Sequence, residues 1–227
     1  MDTIDAALLP TFSLRPGAVA ITFEAPTGPT SPPWLAALLR PGALPQVPAP
    51  DDARRAAVRN ALRGRGFRPS GRSKPASEYL VRAAVEGRLR SILPLVDACN
   101  AVSLAAGIPC SLVDLDRTQP PLRIAVPAPK TSYVFNPSGQ VIDVRGLPCL
   151  WDAAGPCANA VKDAQRTKVT ADTRRALLVV WSPVGHDATA AALLDAFTEI
   201  VVRLGGTVAP VTVRLVPEPD PPAAAPA

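Results

Sequence analysis

Aromatic side chains are scarce in this sequence: five Phe, two Tyr and three Trp make up 4% of its 227 residues. Its core therefore has to be assembled mostly from Ala, Val, Leu and Ile. Histidine is scarcer still, with His186 alone. The four cysteines, Cys99, Cys110, Cys149 and Cys157, show no CxxC spacing. One imidazole and unpaired thiols exclude the usual zinc sites, so no metal is expected, and no cofactor either. The thiols read as free groups in a reducing compartment. "MDTIDAALLP" carries no basic stretch ahead of its apolar residues and is not read as a secretory signal. No apolar run reaches membrane-spanning length without charge, so no membrane contact is expected and the cytoplasm is the expected location. Neither GxGxxG nor GxxxxGK[ST] occurs, which excludes the common glycine-rich nucleotide loops.

Proline and arginine are plentiful. The 28 prolines cluster before residue 51 and after residue 216, where they imply extended chain. Residues 1–50 are therefore expected to be a strand, a helix and a Pro-rich linker packed on a main domain at 51–216. Residues 217–227 are expected to be a disordered Pro/Ala tail. The net charge of +5 is unevenly placed, because residues 51–90 hold eleven Lys/Arg against four Asp/Glu. Within them, Arg63, Arg65, Arg68, Arg72 and Lys74 crowd into "RGRGFRPSGRSK". Such a patch attracts phosphate backbones, and the alternative is a set of solvated faces.

Local patterns divide the chain. "AVAITFEAP" reads as a strand, and "SPPWLAALLR" as a helix with Ser31 able to cap it. "DDARRAAVRNALRGRG", "PASEYLVRAAVEG" and about Ile92 to Ala106 read as further helices, the last stopped by Gly107 and Pro109. Short β-like runs follow: "CSLVDLD", "PLRIAVP", "TSYVFN", "QVIDVRG" and "RALLVVWSP", with a hairpin turn at Ser138–Gln140. "HDATAAALLDAFTEIVVRLGG" reads as a long helix capped by Asp187, and "TVAPVTVRLVP" as a last strand. Helices first and strands later predict an α+β fold, with a mixed or antiparallel sheet and helices packed on it.

Three features invite a functional reading. In "ILPLVDACNAVSLAAGIPCSLVDLD", Asp97, Asn100 and Ser103 interrupt an apolar helix at three-residue spacing, and the segment ends on Asp114 and Asp116. Buried polar groups of this kind need partners. They either fix how the helix meets the following strand or line a pocket floor, and Asp97 and Asn100 are expected to be mainly structural. In "DAQRTKVTADTRRALLVVW", threonines and Lys168 precede an apolar strand, as pocket-lining groups or as turn chemistry. His186 lies just before a helix start and is expected to be structural.

Residues Leu89 to Arg117, with "LRSI", "VDACN", "SL", "GIP" and "DLD" in order and without a gap, resemble the B3/B4 module of the phenylalanyl-tRNA synthetase beta subunit. "TKVTADTRRALLVV" is similar to that module's Thr-rich turn and following strand. The likeness spans roughly residues 60 to 215. It implies a B3/B4-like α+β fold and tRNA or aminoacyl-tRNA as partner. In the synthetase, the module hydrolyses tyrosine wrongly attached to the phenylalanine tRNA. The pocket implied here comprises Asp97, Asn100, Ser111, Asp114, Asp116, Gln165, Thr167, Lys168 and Thr173. Where the synthetase module carries an editing histidine and glutamate, this chain has Ser111 and Gln165, so no catalytic residue is assigned and enzymatic activity is left open. Three functions remain: an RNA-binding protein acting on aminoacyl-tRNA in trans, a binding domain for a free amino acid or similar small molecule without RNA, and an interaction module without chemistry.

Overall fold

The computed structural model describes residues 3–8 and 12–217. Pro217 opens the expected tail, and the rest of that tail lies outside the described residues. Eight strands form one mixed sheet, in the order β3 (Cys110–Asp114), β9 (Arg175–Pro183), β2 (Leu14–Thr22), β10 (Thr207–Val216), β1 (Thr3–Ala7), β4 (Arg123–Ala125), β7 (Cys149–Asp152) and β8 (Gly155–Asn159). β5 (Ser132–Val134) and β6 (Val141–Asp143) form a separate hairpin around the expected turn. The α+β architecture agrees with the sequence pattern.

β10 joins the two halves of the sheet. Its first five residues pair antiparallel with β2, and its last five pair parallel with β1. β1 and β2 have two neighbours along only part of their length, and β10 has one neighbour at each position. That explains how β2 holds Pro16 and β10 holds Pro210, since each proline lies where its strand is paired on one side. The first fifty residues thus supply β1 and β2 to the interior of the sheet order.

The helices α1 (Pro33–Ala36), α2 (Asp52–Ala61), α3 (Ala76–Val85), α4 (Pro94–Ala106) and α5 (Asp187–Arg203) surround this sheet. One face carries Leu112, Leu178, Val180, Val19 and Ile21 against α4 and α5, whose Leu95, Val102, Leu193 and Phe197 are buried there. The opposite face, with Ile4, Val113, Ile124, Leu150, Leu177 and Trp181, forms a second core closed partly by Ala61 and Leu62 at the end of α2. Successive side chains of β9 are buried alternately in the two cores, which is why "ALLVVW" is continuously apolar.

Capping differs from the expectation at two helices. Ser31 does not cap α1, whose N-cap is Pro32; its hydroxyl instead donates to Asp97 at 2.5 Å. Asp187 is the first residue of α5 and pairs with Arg15, leaving His186 as an N-cap without a side-chain bond. Asp51 caps α2 by accepting from the Arg54 N–H at 2.7 Å. Gly107 ends α4 as expected, at φ 67°, and a Cβ there would lie 2.6 Å from Pro50.

Candidate functional site

The polar stripe of α4 separates into three roles. Asp97 is fully buried in the first turn and accepts from the Ser31 hydroxyl, the Ser91 hydroxyl and the Ile92 N–H. Ser103 is buried near the other end and donates to the Ile108 carbonyl at 2.7 Å. Asn100, between them, turns toward a cavity of about 350 Å³ bounded by α4, β3 and the segment after β8. This volume falls within the range of small-ligand sites.

Asp163 forms part of this cavity's wall, and the fold depends on it. One carboxylate oxygen accepts from the Leu112 N–H on β3 at 3.3 Å, and the other accepts from the Asn159 N–H on β8 at 3.2 Å. Ser111 adds a second link, donating to the Asn159 carbonyl at 3.0 Å. The two outermost strands of the sheet are thus tied to each other, and their edges are protected from further pairing. Burial pushes the Asp163 carboxyl up to about 6, against the opposing pull of the Ser111 hydroxyl, the two backbone N–H groups and Lys168.

Lysines complete the polar end. Lys168 donates to the Phe135 carbonyl at 2.5 Å, and burial lowers its pKa while Asp163 opposes the shift. Lys162 sits 3.9 Å above the Phe135 ring. The β5–β6 hairpin therefore holds both lysines through one residue. Asn159 shapes the turn that carries Lys162 and Asp163, accepting from the Val161 and Lys162 N–H groups and donating to the Tyr133 hydroxyl. Leu93, Val96, Leu112 and Val169 supply apolar walls. Cys99 and Cys110 also face the cavity; a hydrogen bond with Cys110, together with burial, holds the Cys99 thiol well above its usual range, so it stays neutral. An apolar hollow lined by a carboxylate, an ammonium and an amide suits a ligand carrying both an amine and a carbonyl group.

Of the nine residues expected at a pocket, Asn100 and Lys168 line this cavity. Asp97 is engaged at the start of α4. Ser111 lies on the opposite face of β3, where it also accepts from the Trp181 indole at 2.9 Å. Asp114 accepts from the Thr173 hydroxyl at 2.6 Å, and Thr173 in turn accepts from the Thr170 N–H, so these residues bind the end of β3 to the Thr-rich turn. Asp116 is exposed and pairs with Arg175. Thr167 is buried, its hydroxyl 3.4 Å from the Cys157 carbonyl, and Gln165 Oε1 is enclosed without a protein partner. Arg63, Arg65, Arg68 and Arg72 are all exposed between α2 and α3, and Lys74 is half-buried at the end of that segment.

Sequence reasoning missed Asp163, Asn159 and Lys162. The signal was "NAVKD", two side chains of the Asn/Asp type four residues apart in a turn. It also missed Arg166, which forms a bidentate pair with the buried Asp152 at 2.6 and 2.7 Å. Burial would raise the Asp152 carboxyl, but Arg166 and the N–H groups of Gln119 and Ala154 hold it below the ordinary range. No helix among the described residues is long and apolar enough to cross a membrane.

Comparison with known proteins bears on the fold. A family model described as the B3/4 domain matches residues 62–193. Among solved structures, the chain is similar to an N-terminal fragment of the phenylalanyl-tRNA synthetase beta subunit from Pyrococcus horikoshii, with a TM-score of 0.52 and 11% identity. The match covers 95% of this chain and 52% of that one, so the chain spans about half the length of its structural counterpart. No curated protein matches the sequence.

Proposed function

The chain belongs to the B3/4 domain family, and from that premise we propose that it is a cytoplasmic RNA-binding protein that takes up aminoacyl-tRNA in trans. The aminoacyl group occupies the cavity between α4 and β3. The observation that carries this reading is that Asn100, Asp163 and Lys168 all line one apolar hollow within the matched residues. Asp163 receives the α-ammonium group, Asn100 and Lys168 receive the ester carbonyl, and the apolar walls take the side chain. The exposed arginines of residues 63–72 with Lys74 supply a phosphate-binding surface nearby in sequence. Rapid editing hydrolysis is not part of the reading. Ser111 and Gln165 replace the histidine and glutamate of the synthetase, and the Ser111 hydroxyl is engaged by Asn159 and Trp181.

Filter binding of charged and uncharged tRNA tests the proposal. Charged tRNA is expected to bind more tightly, and Asn100→Leu is expected to reduce that preference roughly tenfold by removing a hydrogen-bonding group from the cavity wall. Equal affinity for both forms would remove the aminoacyl site. Saturable binding of a free amino acid without any tRNA binding would replace the proposal with a small-molecule function.

A further inference from the structure

Helix α3 separates the candidate cavity from a second hollow. On its other side, between α2 and α3, lies a cleft of about 470 Å³. A third hollow of about 320 Å³ runs between them, sharing Ala76, Asn100, Cys110 and Val161 with the cavity and Tyr79 with the cleft. The shared residues set the three hollows side by side around α3.

The cleft is cationic in its available groups. Five basic residues, Arg54, Arg55, Arg59, Lys74 and Arg82, face three acids there, of which Asp51 caps α2, Glu78 forms a bidentate pair with Arg59, and Asp52 meets Arg55 in an exposed pair. The Arg55–Asp52 and Arg82–Glu86 pairs are exposed. Exposed pairs are weak and exchange readily for a phosphate. Lys74 has no polar partner among the described residues and faces the same space. Tyr79 stands where the cleft adjoins the third hollow. Its hydroxyl donates to the Gly71 carbonyl at 2.7 Å, which orients the ring, and the residue remains 43% exposed. Two exposed arginines and an unpartnered lysine beside one oriented, exposed ring are the elements of a single-strand binding groove.

We propose that the α2–α3 cleft is the track for a single-stranded RNA end. Arg55, Lys74 and Arg82 hold successive phosphodiesters, and a base stacks on Tyr79 as the strand turns toward the cavity. This rests on the aminoacyl-tRNA reading and deepens it, because it assigns the path by which the charged 3′ end arrives. An acidic peptide would use the cations but would gain nothing from the ring.

The test is fluorescence anisotropy with a short labelled single-stranded RNA, titrated against salt. Replacing Arg55, Lys74 and Arg82 together by Ala is expected to make the salt dependence shallower by about 2 in log–log slope, at about 0.7 for each phosphate contact. Tyr79→Ala is expected to weaken binding roughly tenfold, whereas Tyr79→Phe, which keeps the ring, stays near wild type. Wild-type affinity and slope in the triple variant would overturn the track while leaving the tRNA reading in place. Absence of RNA binding by the wild-type protein would remove both. Displacement of the RNA by polyglutamate at equal affinity would assign the groove to an acidic protein partner and overturn the proposal.

Discussion

At the scale of the residue, Asp163 combines two demands on one carboxylate. It bridges the backbones of β3 and β8, and it borders the cavity. Its folded pKa of about 6 stands above the ordinary 3.8. The folded state therefore binds a proton between pH 4 and 6 that the unfolded chain has released, so this group's contribution to stability falls as pH rises through that window. The difference corresponds to about 3 kcal/mol between the two ends, at 1.36 kcal/mol per pKa unit. Asp163→Asn removes the titration, so the stability gap between wild type and variant should change by about that amount between pH 4 and pH 7.5. Denaturant midpoints at the two pH values measure it; a gap that does not vary with pH would assign the titration elsewhere. None of this was visible in the sequence, where Asp163 is one acid in a turn and its two donors come from strands that meet only in the folded sheet.

At the scale of the element, α4 shows what its polar residues do. The helix is locked at its start by Asp97, at its end by Ser103 and Gly107, and it presents Asn100 between them. Asp97→Ala leaves two hydroxyls and an N–H without their acceptor and is expected to cost about 1–3 kcal/mol of stability, measurable by thermal melting. Wild-type stability with lost ligand binding would instead make Asp97 a recognition group. The pattern of α4 was legible because its apolar residues and its Gly stop are local signals. β9 and α5 were legible for the same reason. β1, β7 and β8 were not: "TIDAA", "CLWD" and "GPCAN" are short, lack a β-branched run, and are strands because their neighbours in the sheet hydrogen-bond to them. Little of the pocket was legible. Asn100 and Lys168 stood out by their contrast with apolar surroundings, whereas Ser111, Asp114 and Thr173 stood out equally and form the bonds that hold β3 in place.

At the scale of the whole molecule, the fold is similar to that of a synthetase fragment. Hydrolysis of mischarged tyrosyl-tRNA for phenylalanine is expected to run about 10²–10⁴-fold more slowly than in a synthetase editing module, the usual contribution of a positioned general base. A deacylation time course decides this, and synthetase-like turnover would transfer the base role to another group, with Asp163 the first to replace. The splice made by β10 has a consequence of another kind. Residues 207–216 complete the pairing of both β2 and β1, strands that leave the ribosome some two hundred residues earlier. Until then β2 and β1 each have an open, hydrogen-bonding edge. Loop closure over such distances is slow, and synthesis proceeds at about 5–20 residues per second. The nascent chain thus spends roughly ten seconds or more with β1 and β2 waiting for their partner, an interval in which a chaperone competes with aggregation for the same exposed strands.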